Sequence, residues 1–192
     1  MADTAEDSRQ QAILNSAFQA FATYGFRKTS MDDIARGARM SRPAVYLHFK
    51  NKEAIVTRLT EHYYAEKIAA VAAALTVSGS VSDVLKDAVQ AQTEGMAMIL
   101  ASPHGLEMLD ATKSMSSDII SQGEAELARL YSEWLTREHK AGRVRLLADA
   151  DETGKTITAT LKGLKASAIG AEEYETRVAQ FAALIGAGLE VR

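Results

Sequence analysis

The sequence predicts an all-α protein, with a small three-helix head followed by a larger helical domain. Apolar residues recur with a period near that of an α-helix along most of the chain. Only two prolines interrupt 192 residues, and β-branched runs are short. Two short helical segments, SMDDIARGA and SRPAVYLHFK, are separated by a turn of a few residues, which is the sequence shape of a helix-turn-helix. A hydrophobic content of 47% supports packed cores and argues against disorder.

Each element has its own signals. Ser8 with Gln11 reads as a capping box opening the first helix. Its apolar face is Ile13, Leu14, Ala17, Phe18 and Phe21, and Gly25 is its stop. Ser30 with Asp33 repeats the start signal for the second helix, which turns Ile34 and Ala35 inward. Ser41 caps the third, and Pro43 sits in its first turn, where a missing N–H costs little. Val45, Leu47 and Phe49 are expected to anchor that helix from behind. Asn51 caps the fourth, which runs to about Thr76 before Ser78-Gly79-Ser80. A fifth pattern covers Val81 to Leu100 and ends at Ser102-Pro103, and a short segment follows around Leu106 to Ala111. Met115 to about Lys140 closes at Gly142, Asp149 or Asp151 caps the next helix, and the last starts near Glu173. There is no internal repeat and no low-complexity linker. The expected division is a helix-turn-helix domain over 8–54 and a larger helical domain over 55–192.

Composition removes several function classes. With no cysteine, disulfides, thiolate metal sites and a cysteine nucleophile are excluded. His48, His62, His104 and His139 are too scattered for a metal site. No H-E-x-x-H, glycine-rich phosphate loop or G-x-S-x-G elbow occurs, so neither an enzyme nor a cofactor is expected. The acidic start MADTAEDSRQQ is unlike a signal peptide, and no apolar run reaches membrane-spanning length. A cytoplasmic protein without a membrane partner is the expectation. The net charge of −3 conceals segregation. Residues 8–58 carry nine Lys and Arg against three Asp and Glu, whereas 59–192 carry thirteen against nineteen. A basic first quarter on an acidic remainder suggests that one module meets a polyanion.

The residues around the helix-turn-helix suit duplex DNA. Thr29, just before the second helix, offers a hydroxyl beside open helical amides for a phosphate. Arg42, near the start of the third helix, reaches either guanine O6/N7 or a phosphate, and Ala44 a thymine methyl. Tyr46, His48 and Lys52 add donors suited to the DNA backbone.

The pattern Arg9-x3-Ile13-Leu14-x2-Ala17-Phe18-x2-Phe21-x3-Gly25-x3-Thr29-x4-Ile34-Ala35, followed by Ser41-x4-Tyr46-x-His48-Phe49-x2-Lys52-Glu53, resembles the tetracycline-repressor-like (TetR) transcription regulators. The resemblance covers about the first 55 residues; the remainder is similar only in the number and order of helices. It implies an all-α homodimer that binds a palindromic operator in double-stranded DNA, represses transcription, and is released by a small-molecule effector. It further implies that Tyr46 and His48 bind the DNA backbone. Two departures stand out. Arg39 stands in the turn where the family often has glycine, at a cost of about 1 kcal/mol if φ must be positive. Pro43 and Ala44 stand where glycine and threonine are frequent, so the resemblance leaves the operator sequence open.

Beyond the head, Gln92 and Thr93 fall on or beside an apolar helix face, where a polar group needs a partner. Met96, Met108 and Met115, with Tyr63, Tyr131 and Trp134, are the adaptable and aromatic walls of a cavity for a largely apolar effector. Small residues in the last two helices, Ala159, Gly163, Ala166, Ser167 and Gly170 with Ala182, Ala183, Gly186, Ala187 and Gly188, permit the close approach of a four-helix dimer bundle. The alternative reading is a helical small-molecule or protein-binding module without DNA affinity.

Overall fold

The computed structural model describes the backbone of residues 2–191 and the side chains of 6–191. Met1 and Arg192, the ends of the sequence read above, lie outside the described residues. Among the described residues ten helices follow one another: α1 (Ala2–Tyr24), α2 (Met31–Gly37), α3 (Arg42–His48), α4 (Lys52–Ala74), α5 (Val81–Thr93), α6 (Met96–Ala101), α7 (Gly105–Met115), α8 (Ser117–Lys140), α9 (Ala150–Ser167) and α10 (Ala171–Leu189). The fold is all-α; extended pairing among the described residues amounts to an isolated bridge between Val144 and Glu190. The helices form two compact units, one of Met1–Tyr63 with Ile99–Ile120 and one of Tyr64–Met98 with Ser121–Arg192. Packing thus draws 99–120 to the head, although the expected functional boundary lies at 54/55.

The head unit is built on α1, which buries Ile13, Ala17 and Phe21 completely and Leu14 nearly so. This helix begins at Ala2, so Ser8 lies inside it and the expected capping box at Ser8 and Gln11 is not formed. The residues upstream of Ser8 are themselves compatible with a helix, and a local cap signal does not compete with its continuation. Gly25 ends α1 with φ +87, a left-handed conformation that a side chain opposes. The α2 start forms as expected: Ser30 Oγ accepts from Asp33 N, and Asp33 Oδ2 accepts from Ser30 N at 2.9 Å. The Ser30 hydroxyl, donating to Asp33 Oδ2 at 2.6 Å, and then the Ser30 amide hold the Asp33 carboxyl below the ordinary range. At the other end Arg39 adopts φ 55, with its N–H donating to Arg36 O and that of Met40 to Ala35 O. This is the Schellman ending that glycine usually serves, here made by arginine.

Ser41 Oγ accepts from Ala44 N at 3.3 Å and opens α3, while Asn51 Oδ1 accepts from Ala54 N at 2.8 Å and opens α4. Val45 and Phe49 face the core, as expected. Leu47 does not: it is 86% exposed, which corrects its assignment as an anchor. Successive helical residues turn by about 100°, so Leu47 lies far round the helix from Val45.

In the second unit α5 lies along α10, and Glu190 accepts from Val81 N at 3.1 Å and Ser82 Oγ at 2.7 Å, capping the start of α5. The expected single helix over Val81 to Leu100 is divided, because Glu94 and Gly95, the latter at φ +81, separate α5 from α6. Trp134, Tyr131 and Leu135 of α8 and Ile157 of α9 are fully or almost fully buried. Asp149 is the residue that caps α9, its Oδ1 accepting from Glu152 N at 2.8 Å. Glu138, 9% exposed, is paired with Arg143 Nε at 2.8 Å and Arg137 Nε at 3.2 Å, as a buried carboxylate requires. Among the described residues no helix is long and apolar enough to cross a membrane, and no cluster of metal-ligating side chains occurs.

Candidate functional site

The outward arc of α3 is set by its seven residues and the helical turn. Arg42, Pro43, Tyr46 and Leu47 are exposed, Ala44 is half-buried at the edge, and Val45 is buried. Arg42 is held in place: Nη1 donates to Asp32 Oδ2 at 3.1 Å and Nη2 to the Tyr46 hydroxyl at 3.5 Å. Its guanidinium also lies 5.5 Å from the Tyr46 ring centroid. Around this arc Arg27, Lys28, Arg39 and Lys50 are exposed, so the basic excess of the head is a surface property.

Three of the expected DNA ligands point inward instead. Thr29 is 2% exposed, and its hydroxyl donates to Gly25 O at 2.8 Å, with Ala20 O at 3.2 Å. That hydroxyl ties the α1–α2 turn and is not offered to a phosphate. The His48 side chain is 6% exposed, with Nδ1 3.0 Å from Glu6 Oε1, though not aligned as a hydrogen bond. Its place at the end of α3 turns it from the outward arc, which corrects its expected contact with the DNA backbone. Lys52 Nζ donates to Phe26 O at 2.7 Å and Thr29 O at 2.6 Å and sits 4.5 Å from the Phe26 ring centroid. It is a clamp on the turn rather than an outward cation.

The same turn is gripped from α7. Glu107 Oε1 accepts from Arg27 N at 3.2 Å, its Oε2 lies 3.1 Å from His104 Nδ1, and His104 N donates to Ala22 O at 3.1 Å. The Arg27 amide, with His104 beside it, holds the Glu107 carboxyl below the ordinary range. A Cβ on Gly25 would come within 2.6 Å of Glu107 Oε2, a second reason for glycine there.

The expected effector residues divide between the units. Tyr63, Met108 and Met115 belong to the head unit, and Gln92, Thr93, Met96, Tyr131 and Trp134 to the second. Met96, Met108, Tyr131 and Trp134 are buried. The Thr93 hydroxyl donates to Val89 O of its own helix at 2.8 Å, so it is already satisfied. Gln92 Oε1 and the Tyr131 hydroxyl are buried and make no hydrogen bond within the protein. Burial pushes the Tyr131 phenol well above its ordinary range. Ser116 Oγ of the head unit is in the same condition. Ser116, and Pro43 and Leu47 on the outward arc of α3, are not among the expected site residues. The helical period was enough to find the last two; nothing in the sequence distinguishes Ser116 from other serines.

A basic helix-turn-helix head on a second helical unit defines a transcriptional regulator. Residues 13–59 match the family model described as bacterial regulatory proteins, tetR family. The HTH-type transcriptional repressor Rv1474c of Mycobacterium tuberculosis is 30% identical over 170 residues, covering 86% of this chain and 85% of that protein. The regulator EthR of Mycolicibacterium smegmatis is 42% identical over 55 residues, covering 29% of this chain and 25% of its own. SmeT, the repressor of the Stenotrophomonas maltophilia multidrug efflux pump SmeDEF, shares the fold with a TM-score of 0.71 at 19% identity, over 95% of this chain and 90% of its own. A complex of SmeT with triclosan gives 0.67 at 19% identity, over 95% and 92%. The chain belongs to the TetR family of bacterial transcription regulators; it is a DNA-binding protein and not an enzyme.

Proposed function

We propose that the protein is a homodimeric repressor that binds a palindromic operator through residues 8–54 and is released by a small, largely apolar effector held by residues 55–192. The observation that carries the DNA reading is the outward arc of α3, where a fixed arginine and a tyrosine stand on a basic surface. Arg42 reads a base edge, Tyr46 donates to a phosphate, and Ala44, Pro43 and Leu47 offer apolar contact to thymine methyls. Thr29 and Lys52 serve the same surface indirectly, by holding the turn that delivers α2. His48 supports α3 from behind. A protein working on bacterial operator DNA works in the cytoplasm.

A surface of small residues supports the dimer. Ala159, Gly163 and Ala166 of α9 and Ala183, Ala187 and Gly188 of α10 are exposed, and a Cβ added at Gly163 or Gly188 would meet nothing within 4 Å. Ala182 and Gly186, which the sequence also offered, are buried instead, Gly186 against Ser82 of α5. A second copy completes a four-helix bundle and supplies the second recognition helix that a palindrome requires.

The unbonded Gln92 Oε1 and Tyr131 hydroxyl support the effector reading. Each buried polar atom left unpaired costs about 1–3 kcal/mol, and a polar group on an otherwise apolar molecule offsets that cost. The triclosan complex of SmeT is a precedent for such a compound in this fold. An effector that binds better to a dimer whose recognition helices are wrongly spaced draws the population off DNA.

The test is a titration of the purified protein with duplexes from its own upstream region at about 50 and 200 mM salt. It is repeated with compounds that raise the thermal midpoint. Binding falls steeply with salt, Tyr46→Phe weakens binding to every duplex without changing that dependence, because a neutral hydroxyl releases no counterion, and a stabilising compound weakens operator binding. Failure to bind any duplex at the lower salt overturns the reading.

A further inference from the structure

We propose that Asp32 is a positioning residue for base recognition: from α2 it fixes the Arg42 guanidinium against Tyr46, and so sets operator specificity at one guanine per half-site without touching DNA. The inference rests on the DNA-binding reading above and deepens it.

Asp32 stands in the first turn of α2, where the helix dipole favours an acid, but it makes none of the capping hydrogen bonds. The capping of that helix is done by Ser30 and Asp33, and Asp33 also pairs with Arg36. Asp32 instead directs its carboxylate to Arg42, ten residues on and in the next helix, at 3.1 Å. Both side chains are about half exposed, 51% and 57%, and an ion pair in that setting adds little to stability. On a surface that meets phosphates, a carboxylate is also a liability, since it repels the ligand at short range. Residues 8–58 contain just two other acids, Asp33 and Glu53. The helix dipole accounts for an acid in that turn, but not for the direction of the carboxylate, which is aimed at Arg42.

The geometry gives that direction a use. A free arginine carries a large rotamer entropy, which binding must remove. Here one guanidinium nitrogen is taken by Asp32, another faces the Tyr46 hydroxyl, and the plane lies beside the Tyr46 ring. The remaining N–H groups project from a side chain already ordered. Guanine is recognised by two such donors on O6 and N7. Fixing the guanidinium beforehand lowers the ordering cost and narrows the set of base edges that it satisfies. The carboxylate thus lowers general attraction to DNA and raises discrimination between sequences, two effects that separate experimentally.

The experiment selects bound duplexes from a random pool, then titrates the selected operator and an unrelated duplex with the wild type, Asp32→Ala, Asp32→Asn and Arg42→Ala. Both positions are exposed, and the thermal midpoint serves as the control for folding. The wild type selects guanine at one position in each half-site, and Arg42→Ala loses that preference. Asp32→Ala lowers discrimination at the same position about tenfold, which is the low end of what one bidentate contact supplies, while binding the unrelated duplex more tightly. Asp32→Asn keeps part of the discrimination, because its amide oxygen still accepts from Arg42. If Asp32→Ala tightens binding to both duplexes equally and leaves the guanine preference intact, Asp32 is only a surface charge and the proposal is wrong. If it sharpens the preference, Asp32 competes with DNA for Arg42, and the proposal is wrong in the opposite sense. A wild type that binds no duplex overturns the function reading itself, and this inference with it.

Discussion

Lys52 reaches back from the first turn of α4 to two carbonyls of the α1–α2 turn, and the Phe26 ring lies beside its ammonium. Each of these is a hydrogen bond from a charged donor, the stronger class in a protein. They close a turn that Thr29 ties from within and Glu107 grips through Arg27 N. Replacing Lys52 by methionine keeps most of the packing of the stem and removes both bonds. The expected loss is about 2–3 kcal/mol of head stability, read as a lowered urea midpoint. The dependence of DNA binding on salt stays unchanged in the same variant, because a residue facing inward releases no counterion. A phosphate ligand lost would reduce that slope by about one. A reduced slope with stability intact would restore Lys52 to the DNA surface.

Among the helical elements, the end of α2 carries a built-in cost. Arg39 is the non-glycine residue with positive φ among those described, at 55°, and a left-handed conformation costs a side chain about 1–2 kcal/mol. Arg39→Gly relieves this and is offset in part by the greater freedom of glycine in the unfolded chain. The expected net gain is about 0.5–1 kcal/mol in urea unfolding, with an unchanged dependence on denaturant. A loss of stability would mean that the arginine side chain makes compensating contacts. The place of this strain was expected from the resemblance, since the family often has glycine where Arg39 stands. The caps at Ser30, Ser41 and Asn51 were legible from the sequence itself, and that of α9 to within the pair Asp149 and Asp151, because each is one side chain meeting a backbone amide three residues on. The start of α1 and the break at Gly95 were not, because a cap signal or a glycine says where a helix is able to stop, whereas the surrounding packing decides whether it does. The site divides similarly. The outward direction of Arg42 and Tyr46 follows from helical period alone. The inward direction of Thr29, His48 and Lys52 depends on Ala20, Glu6 and Phe26, partners that no period identifies.

For the whole molecule, the decisive property is whether two copies act together. A single head presents one α3, whereas a palindrome asks for two, about 34–36 Å apart or a multiple of that spacing. The exposed small residues of α9 and α10, with Leu184 67% exposed beside them, are the surface proposed for pairing. A glycine inside an exposed helix is unfavourable by about 1 kcal/mol relative to a good helix former, so Gly163 in α9 needs a reason that the single chain does not supply. Close approach of a second backbone is such a reason. Gly163→Gln with Ala187→Gln therefore acts oppositely on two measurements. In the isolated helices the gain at Gly163 outweighs the small loss at Ala187, since glutamine is a much better helix former than glycine and a slightly poorer one than alanine; both positions are exposed, and nothing lies within 4 Å of a Cβ at Gly163. The double change also wedges the pair apart. The wild type is expected to sediment at twice its 20.7 kDa chain mass, and the double variant as a folded single chain with retained helical content. Operator affinity in that variant falls to the level of an unrelated duplex, because the second recognition helix is no longer linked to the first. A double variant that remains a dimer and holds its operator would remove α9 and α10 as the pairing surface; a wild type that sediments as one chain at micromolar concentration would remove the dimer itself.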